Sequence, residues 1–285
     1  MDRTPMTDFA YSQLPSGGGE SRLGLVETRL EARARIRFTV AQALAQGRLG
    51  FHFQPVVRAG APRFVAFHEM LARLRLPDGN ILAAGAFLPL VAETEIGREI
   101  DRLALTRALE ALEADRSLRL SINMSPLSMG DAEWLEILAA ERWRGAAPRL
   151  ILEISEDAAV SEAEQTADFL NHARGFGCAF ALDDFGAGVT GFRHFRAFRF
   201  DMVKLDGGFT RDIHRERDAQ VLVECLGAVA KHFDMMTVAE RVEAPEDAAW
   251  LAGQGIDCFQ GYLYGRPAER PLGSEAERFG KRAAG

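Results

Sequence analysis

The chain lacks the features that mark several large protein classes. It has only three cysteines, Cys178, Cys225 and Cys258, each among apolar neighbours and none in a CxxC pair. That excludes a disulfide scaffold and reads as reduced core thiols in the cytosol. The six histidines form no HxxxH or HxH pair, so zinc is not expected. No run of about 18 apolar residues occurs, which argues against a membrane span. The N-terminus has no apolar h-region, so no secretory leader is expected. Basic charge is in deficit: 34 Lys and Arg against 41 Asp and Glu give a formal net charge of −7. Non-specific binding to duplex nucleic acid needs a basic face and is not expected. A small phosphate ligand remains compatible if cations neutralise its site locally.

What is present is ample core material: 285 residues, 47% of them hydrophobic. A (β/α) barrel of roughly 250 residues would use nearly all of it. Residues 1–20 are rich in Pro, Ser and Gly and read as disordered. Residues 21–48 read as a helical extension, with an imperfect apolar stripe (Leu25, Leu30, Ile36, Val40, Leu44) and Arg29, Arg33, Arg35 and Arg37 around it. Such a helix either packs on the domain as a solvated element or meets a protein partner or membrane surface. Residues 49–270 form the main domain, and 271–285 a tail.

Within the main domain, short apolar runs alternate with longer amphipathic ones. Strands are expected at Phe51–Val57, Phe64–Leu71, Leu118–Ile122, Leu150–Ile154, Cys178–Leu182, Met202–Leu205, Met235–Ala239 and Cys258–Phe259. Helices are expected at Ala86–Glu93, Arg98–Ala114, Trp134–Arg142, Glu162–Gly175, Asp218–Phe233 and Glu246–Gly253. Eight alternations in this length point to an α/β fold of (β/α)8 TIM-barrel type. An open doubly wound sheet is the alternative, weakened because the Rossmann glycine fingerprint is missing.

Nearly every expected strand ends in a polar residue. They are Glu69, Asn123, Glu153, the pair Asp183-Asp184, Lys204 with Asp206, Glu240 with Glu243, and Gln260. A parallel barrel brings such positions to one rim, where barrel active sites are built. Five carboxylates (Glu69, Glu153, Asp183, Asp184, Glu240) would then face one lysine. That excess is destabilising unless cations fill it. Oxygen donors suit Mg²⁺ or Mn²⁺, and adjacent aspartates allow one carboxylate to bridge two ions. In that arrangement Lys204 would hold the attacking water or the developing charge, and Glu240 could take the water proton.

Taken in order, these motifs resemble the EAL-domain family of bacterial cyclic di-GMP phosphodiesterases. The resemblance spans about residues 50–268. It is carried by Gln54-Pro55, Glu69-Met-Leu-Ala-Arg73, Asn123 with Ser125, Glu153-Ile-Ser-Glu156, Asp183-Asp184-Phe-Gly, Lys204-Leu-Asp206, Glu240-Arg-Val-Glu243 and Gln260-Gly-Tyr262. It implies a barrel with a non-standard first strand, two Mg²⁺ or Mn²⁺ ions, hydrolysis of cyclic di-GMP to linear pGpG, and a homodimer through the loop after Asp184. By resemblance, Glu69, Asn123, Glu153 and Asp183 are ligands of one ion, and Asp183 with Asp184 serves the second. Gln54 and Arg73, with Asp206 and Glu243, fall to the substrate. Lys204 orients the water, Glu240 and Gln260 complete the site, and Glu156 steadies the loop after Asp184.

The sequence departs from the family pattern at three places. Met70 replaces the namesake alanine, on the strand face opposite Glu69. Arg241 replaces a glycine; at positive φ a non-glycine residue there would cost roughly 1–2 kcal/mol. Ala187-Gly-Val-Thr-Gly-Phe192 replaces a loop that usually carries tyrosine and serine hydroxyls. These departures keep open a catalytically impaired domain, acting as a cyclic di-GMP receptor or a protein-binding regulator. An unrelated sugar-phosphate barrel would need a phosphate-cradling glycine loop near the last strands, which Gln260-Gly-Tyr262 does not supply.

Overall fold

The computed structural model describes residues 22–140, 143–186 and 198–273, with side chains from Glu31 onward. The expected N-terminal disorder at 1–20, the substituted loop 187–192 with the dimer contact expected of it, and most of the 271–285 tail lie outside the described residues.

The elements are α1 (Arg22–Ala45), β1 (Leu49–Arg58), β2 (Ala61–Arg75), β3 (Ile81–Ala83), α2 (Leu88–Val91), α3 (Glu95–Ala114), β4 (Leu120–Asn123), α4 (Ala132–Ala139) and β5 (Leu150–Ser155). There follow α5 (Glu156–Ser161), α6 (Ala163–Arg174), β6 (Ala179–Phe185), β7 (Met202–Leu205), α7 (Gly207–Thr210), α8 (Arg217–His232), β8 (Met236–Ala239), α9 (Pro245–Gly253) and β9 (Cys258–Gln260).

The sheet order is β1-β9-β8-β7-β6-β5-β4-β2-β3, and a further β1–β2 pairing closes it into an eight-stranded barrel. β3 lies outside the ring, on the edge of β2. The strands from β4 to β9 run parallel, as does the β2–β4 pair. β1 is the exception and pairs antiparallel with both β2 and β9. Only two residues, Ala59 and Gly60, link β1 to β2. A connection that short makes a hairpin, whereas a parallel neighbour needs a crossover of a dozen residues or more.

Three apolar layers hold this together. Between strands and helices, Leu105, Leu109, Leu120, Leu150, Leu152, Phe180 and Val203 are buried with their neighbours. Beneath α1, Val40 and Ala43 pack with Leu74, Phe87 and Ile100. So the C-terminal half of α1 is docked on the barrel, while its Phe38 is 68% exposed. The third layer lies inside the ring and bears on the site below.

Several expected boundaries move. β2, at 15 residues, is nearly twice the expected length, and β3, too short for a periodicity signal, was not expected. The helix expected at Ala86–Glu93 is only the α2 turn, next to a 3₁₀ turn at Ala84–Ala86. The helix expected from Trp134 begins at Ala132 because Asp131 caps it, accepting from the amides of Glu133 and Trp134. Among the described residues, no helix is long and apolar enough to cross a membrane.

Candidate functional site

The inner layer is built from Val56, Phe67, Ile151, Ala181, Met202, Val238 and Cys258. Side chains two apart on a strand point the same way. One step of two toward the C-terminal rim therefore replaces Phe67 by Glu69, Ile151 by Glu153, Ala181 by Asp183, Met202 by Lys204, Val238 by Glu240 and Cys258 by Gln260. On β1, which runs the other way, the step goes back from Val56 to Gln54. The polar residues thus form one layer above an apolar plug. Glu69, Glu153, Lys204, Gln54 and Gln260 are all buried in it.

Lys204 is the hub. Its Nζ lies 2.9 Å from Glu153 Oε2, 3.0 Å from Asp183 Oδ1, 2.7 Å from Glu240 Oε1 and 3.6 Å from Glu69 Oε2. Burial works against its charge, but these four carboxylates outweigh burial and hold its pKa well above the ordinary range. Two of the acids are also shifted upward, which for a carboxyl group favours the neutral form. Burial, aided by Asp183 and Glu69 and opposed by Lys204, pushes Glu240 up to about 8. Burial likewise drives Glu153 far up despite Lys204. Four carboxylates around one ammonium carry an excess of negative charge that is met by holding protons or by taking up cations.

Neighbouring strand residues normally face opposite sides, so Asp183 and Asp184 should diverge. They do not. The β6–β7 register shifts between Leu182 and Phe185, and Asp184 takes φ 56°. Asp tolerates that left-handed conformation better than most residues. The strand therefore does not stop before the two acids, as expected from Cys178–Leu182, but carries both within an irregular segment ending at Phe185. One carboxylate oxygen each from Asp183, Asp184 and Glu240 lie within 4.8 Å of one another. Burial, Asp183 and Asp206 together raise the Asp184 pKa to about 6.

Amides frame the acids. Asn123 Nδ2 donates to Glu69 Oε1 at 2.9 Å, and Gln260 Nε2 donates to Glu69 Oε2. Gln260 also donates to Gln54 Oε1 at 3.2 Å, and Gln54 to the Gly265 carbonyl at 3.1 Å. Glu156 Oε2 accepts from the Gly186 amide at 2.8 Å, at the start of the loop after Asp184. A cleft of about 520 Å³ opens over this layer, lined by Gln54, Glu69, Asp183, Glu240, Gln260, Arg241, Glu243, Arg211 and Tyr262.

The other expected substrate contacts lie around the cleft, where Arg73 is attracted to Glu69 and Asp206 repels Asp184. Arg73 lines an adjacent depression with Arg48, His52 and Arg75. Asp206 caps α7, accepting from the Gly208 amide at 2.8 Å. Glu243 is exposed at the cleft and 4.0 Å from Arg211.

Sequence reasoning missed the supports beneath this layer. Asp101 on α3 accepts from the Ser125 amide at 2.9 Å, Ser125 Oγ at 2.6 Å and Ser128 Oγ at 2.7 Å, fixing the turn that follows Asn123. Its burial raises its pKa, against those hydrogen bonds. A signal existed: Asp101 falls four residues after Gly97 and four before Leu105, on the buried stripe of α3. Asp247 plays the same part for the loop after α7, accepting from the amides of Asp212 and His214 and contacting His214 Nδ1 at 2.6 Å.

The donor set suits divalent cations. It offers carboxylate oxygens that converge within 4.8 Å, and Glu153 Oε1 is buried with no hydrogen bond. Hard oxygen donors with surplus negative charge fit Mg²⁺ or Mn²⁺.

An eight-stranded α/β barrel with an antiparallel first strand and acids crowding its C-terminal mouth defines a narrow class of barrels. The EAL domain family matches residues 38–267, and the chain belongs to that family. It is similar to the cyclic di-GMP phosphodiesterase PdeB of Shewanella oneidensis, at 32% identity over 251 residues, covering 86% of this chain and 29% of PdeB. The c-di-GMP complex of the phosphodiesterase PaMucR superposes with a TM-score of 0.76 at 26% identity, covering 82% of this chain and 97% of that one. The FimX EAL domain from Pseudomonas aeruginosa bound to c-di-GMP shares the fold, with a TM-score of 0.75 at 24% identity over 82% and 97% of the two chains. The chain spans about a third of the length of the curated relatives it matches.

Proposed function

We propose that this chain is a divalent-metal-dependent phosphodiesterase that hydrolyses cyclic di-GMP to linear pGpG. The observation that carries the reading is the polar layer itself: four carboxylates held by one buried lysine, with Asp184 beside them, all at one mouth. The relatives named as cyclic di-GMP phosphodiesterases support the substrate.

Glu69, Asn123, Glu153, Asp183 and Asp184 would hold two Mg²⁺ or Mn²⁺ ions. Bound there, such ions would lower the pKa of water and offset charge on the phosphodiester. The protein's own groups account for the rest. Asn123 and Gln260 orient Glu69 through their amides, and Gln54 in turn holds Gln260. Lys204 keeps its proton and steadies the developing negative charge. Glu240, with proton affinity near neutral pH, accepts the proton of the attacking water. The water oxygen bonds to phosphorus as the P–O3′ bond breaks, and O3′ leaves as a hydroxyl, taking the proton that Glu240 received from the water. The second phosphodiester stays intact in pGpG.

The test is turnover of cyclic di-GMP by the purified chain with Mg²⁺ or Mn²⁺, read by chromatography and mass spectrometry. Formation of pGpG that Glu69→Ala abolishes is the expected result. Binding without product in either metal would replace the enzyme reading with a receptor, and absence of both would leave a protein-binding regulator.

A further inference from the structure

Past Met70, β2 no longer pairs with β4, and it continues with β1 as an antiparallel ribbon beyond the barrel rim. Alternation divides the ribbon into two faces. Leu49, Ala72 and Leu74 are buried, with Phe51 packed on them, in the layer beneath α1. The other face carries Gly50, His52, Arg73 and Arg75, with Arg48 just ahead of β1. Gly50 lies directly opposite Arg73. A Cβ built on Gly50 would meet nothing within 4 Å, so a gap opens there between the charged side chains. These residues line one depression of about 350 Å³ with Glu269.

Three guanidiniums face one carboxylate in that lining, in a chain whose formal net charge is −7. Glu269 is a weak neutraliser, 72% exposed and 3.8 Å from Arg75. Each guanidinium has five N–H donors. Arg48 donates to the Gln46 side chain at 2.9 Å and to the Arg75 carbonyl at 2.6 Å, which ties it across the ribbon. Arg73 donates to the Ala72 carbonyl at 2.9 Å. The remaining donors have no protein acceptor among the described residues. Burial first, then Arg73, lower the His52 pKa, in keeping with a positive field in the depression.

We propose that this depression is an anion site for a terminal phosphate, held by Arg48, Arg73 and Arg75. Arginine forks match phosphate oxygens in pairs. A terminal phosphate carries nearly two negative charges at neutral pH and a diester only one, so the site selects the former. The volume suits a small molecule such as a mononucleotide. Arg73 stands four residues beyond Glu69, about 13 Å along β2, so the site is separate from the acid layer. Arg73 alone was expected to touch substrate; Arg48 and Arg75 are additions. On the phosphodiesterase reading, the ligand is a linear product rather than the cyclic substrate, because hydrolysis turns a diester into a terminal phosphate. The site itself does not depend on that reading.

The experiment titrates the full chain with GMP, guanosine and inorganic phosphate, in chelator so that no divalent ion bridges phosphate to the acids. Calorimetry gives affinity, and the His52 imidazole resonances, assigned with His52→Gln, report the place. GMP is expected to bind at least about tenfold tighter than guanosine and to shift His52. Arg48→Gln and Arg75→Gln should each weaken GMP about tenfold. Arg75 is exposed, so its variant guards against misfolding from the lost Arg48 tether. Arg116→Gln, the same charge change at a side chain 87% exposed outside the depression, should leave affinity unchanged. GMP binding tighter than inorganic phosphate assigns the site to a nucleotide, and equal affinities assign it to free phosphate; both uphold it. Equal affinities for GMP and guanosine, an unmoved His52, or the same loss in Arg116→Gln as in Arg75→Gln overturns it. None of these readouts uses turnover, so their failure leaves the phosphodiesterase reading standing.

Discussion

Replacing Lys204 by methionine isolates what one charge does in a crowded site. Methionine approximates the length and volume of the lysine stem, so packing changes little. The four carboxylates within 3.6 Å of Nζ lose their shared partner. Removing one member of a buried ionic cluster leaves uncompensated charge, which costs about 3–5 kcal/mol where the remaining groups cannot protonate. Lys204→Met should therefore lower the melting temperature in chelator, and Mn²⁺ should stabilise this variant more than wild type. A smaller metal-induced shift in the variant would refute the charge-hub account. Asp101 gives the complementary case of a residue remote from the cleft. Asp101→Ala strips three acceptor bonds from Ser125 and Ser128. A loss of about 2–4 kcal/mol is expected, seen as a lower urea midpoint with unchanged slope. An unchanged midpoint would mean those serines find other partners.

At the scale of elements, close approach between β9 and the segment after β8 shapes the mouth. The Val242 amide donates to the Gln260 carbonyl at 2.9 Å, and a Cβ on Gly261 would fall 2.0 Å from the Val242 carbonyl oxygen. Gly261→Ala must push the Glu240–Glu243 segment away from Gln260. We expect a cost of about 1–3 kcal/mol and at least about a tenfold loss of turnover. Wild-type stability with wild-type turnover would show that the two segments move apart freely. These elements also show what the sequence made legible. The step of two from Ile151 to Glu153 or from Met202 to Lys204 is a strand period, visible before any coordinates. So was the parallel order of the later strands, since each apolar run is separated from the next by a helical pattern. Asp183 and Asp184 were expected together at the rim, but how both reach it was not visible, because period-two reading sends adjacent residues to opposite faces. Only the register shift against β7 and the left-handed backbone at Asp184 bring both acids to the mouth. Asp101 was missed for a different reason: an acid on a helix reads as solvated until its buried neighbours are known. Arg241, at φ 50°, lies against Gly207, 34 positions away, and no local pattern joins them.

For the whole molecule, the acid cluster ties folding to pH and to divalent ions. Asp184 is raised to about 6 and Glu240 to about 8, both by burial first. An unfolded carboxylate titrates at about 4. Between about pH 4 and pH 8 the folded chain therefore holds protons that the unfolded chain has released. Stability must then fall as pH rises, because the unfolded state binds fewer protons than the native one. The contribution is fully present below the unfolded pKa and is lost once pH passes the folded values. Cations at the same oxygens would displace those protons and stabilise the fold by mass action. In chelator, the melting temperature should decline from pH 5.5 to pH 8, in the range these two carboxylates control. Added Mn²⁺ should raise it little at pH 5.5, where protons compete, and much more at pH 8. The same titration should release protons into a weak buffer, most strongly near pH 7. Scanning calorimetry measures the melting temperatures, and isothermal titration with Mn²⁺ in two buffers of different ionisation enthalpy measures the protons released. A melting temperature that climbs with pH in chelator, or a Mn²⁺ shift independent of pH, would mean that the acids at the barrel mouth are already ionised and satisfied within the fold.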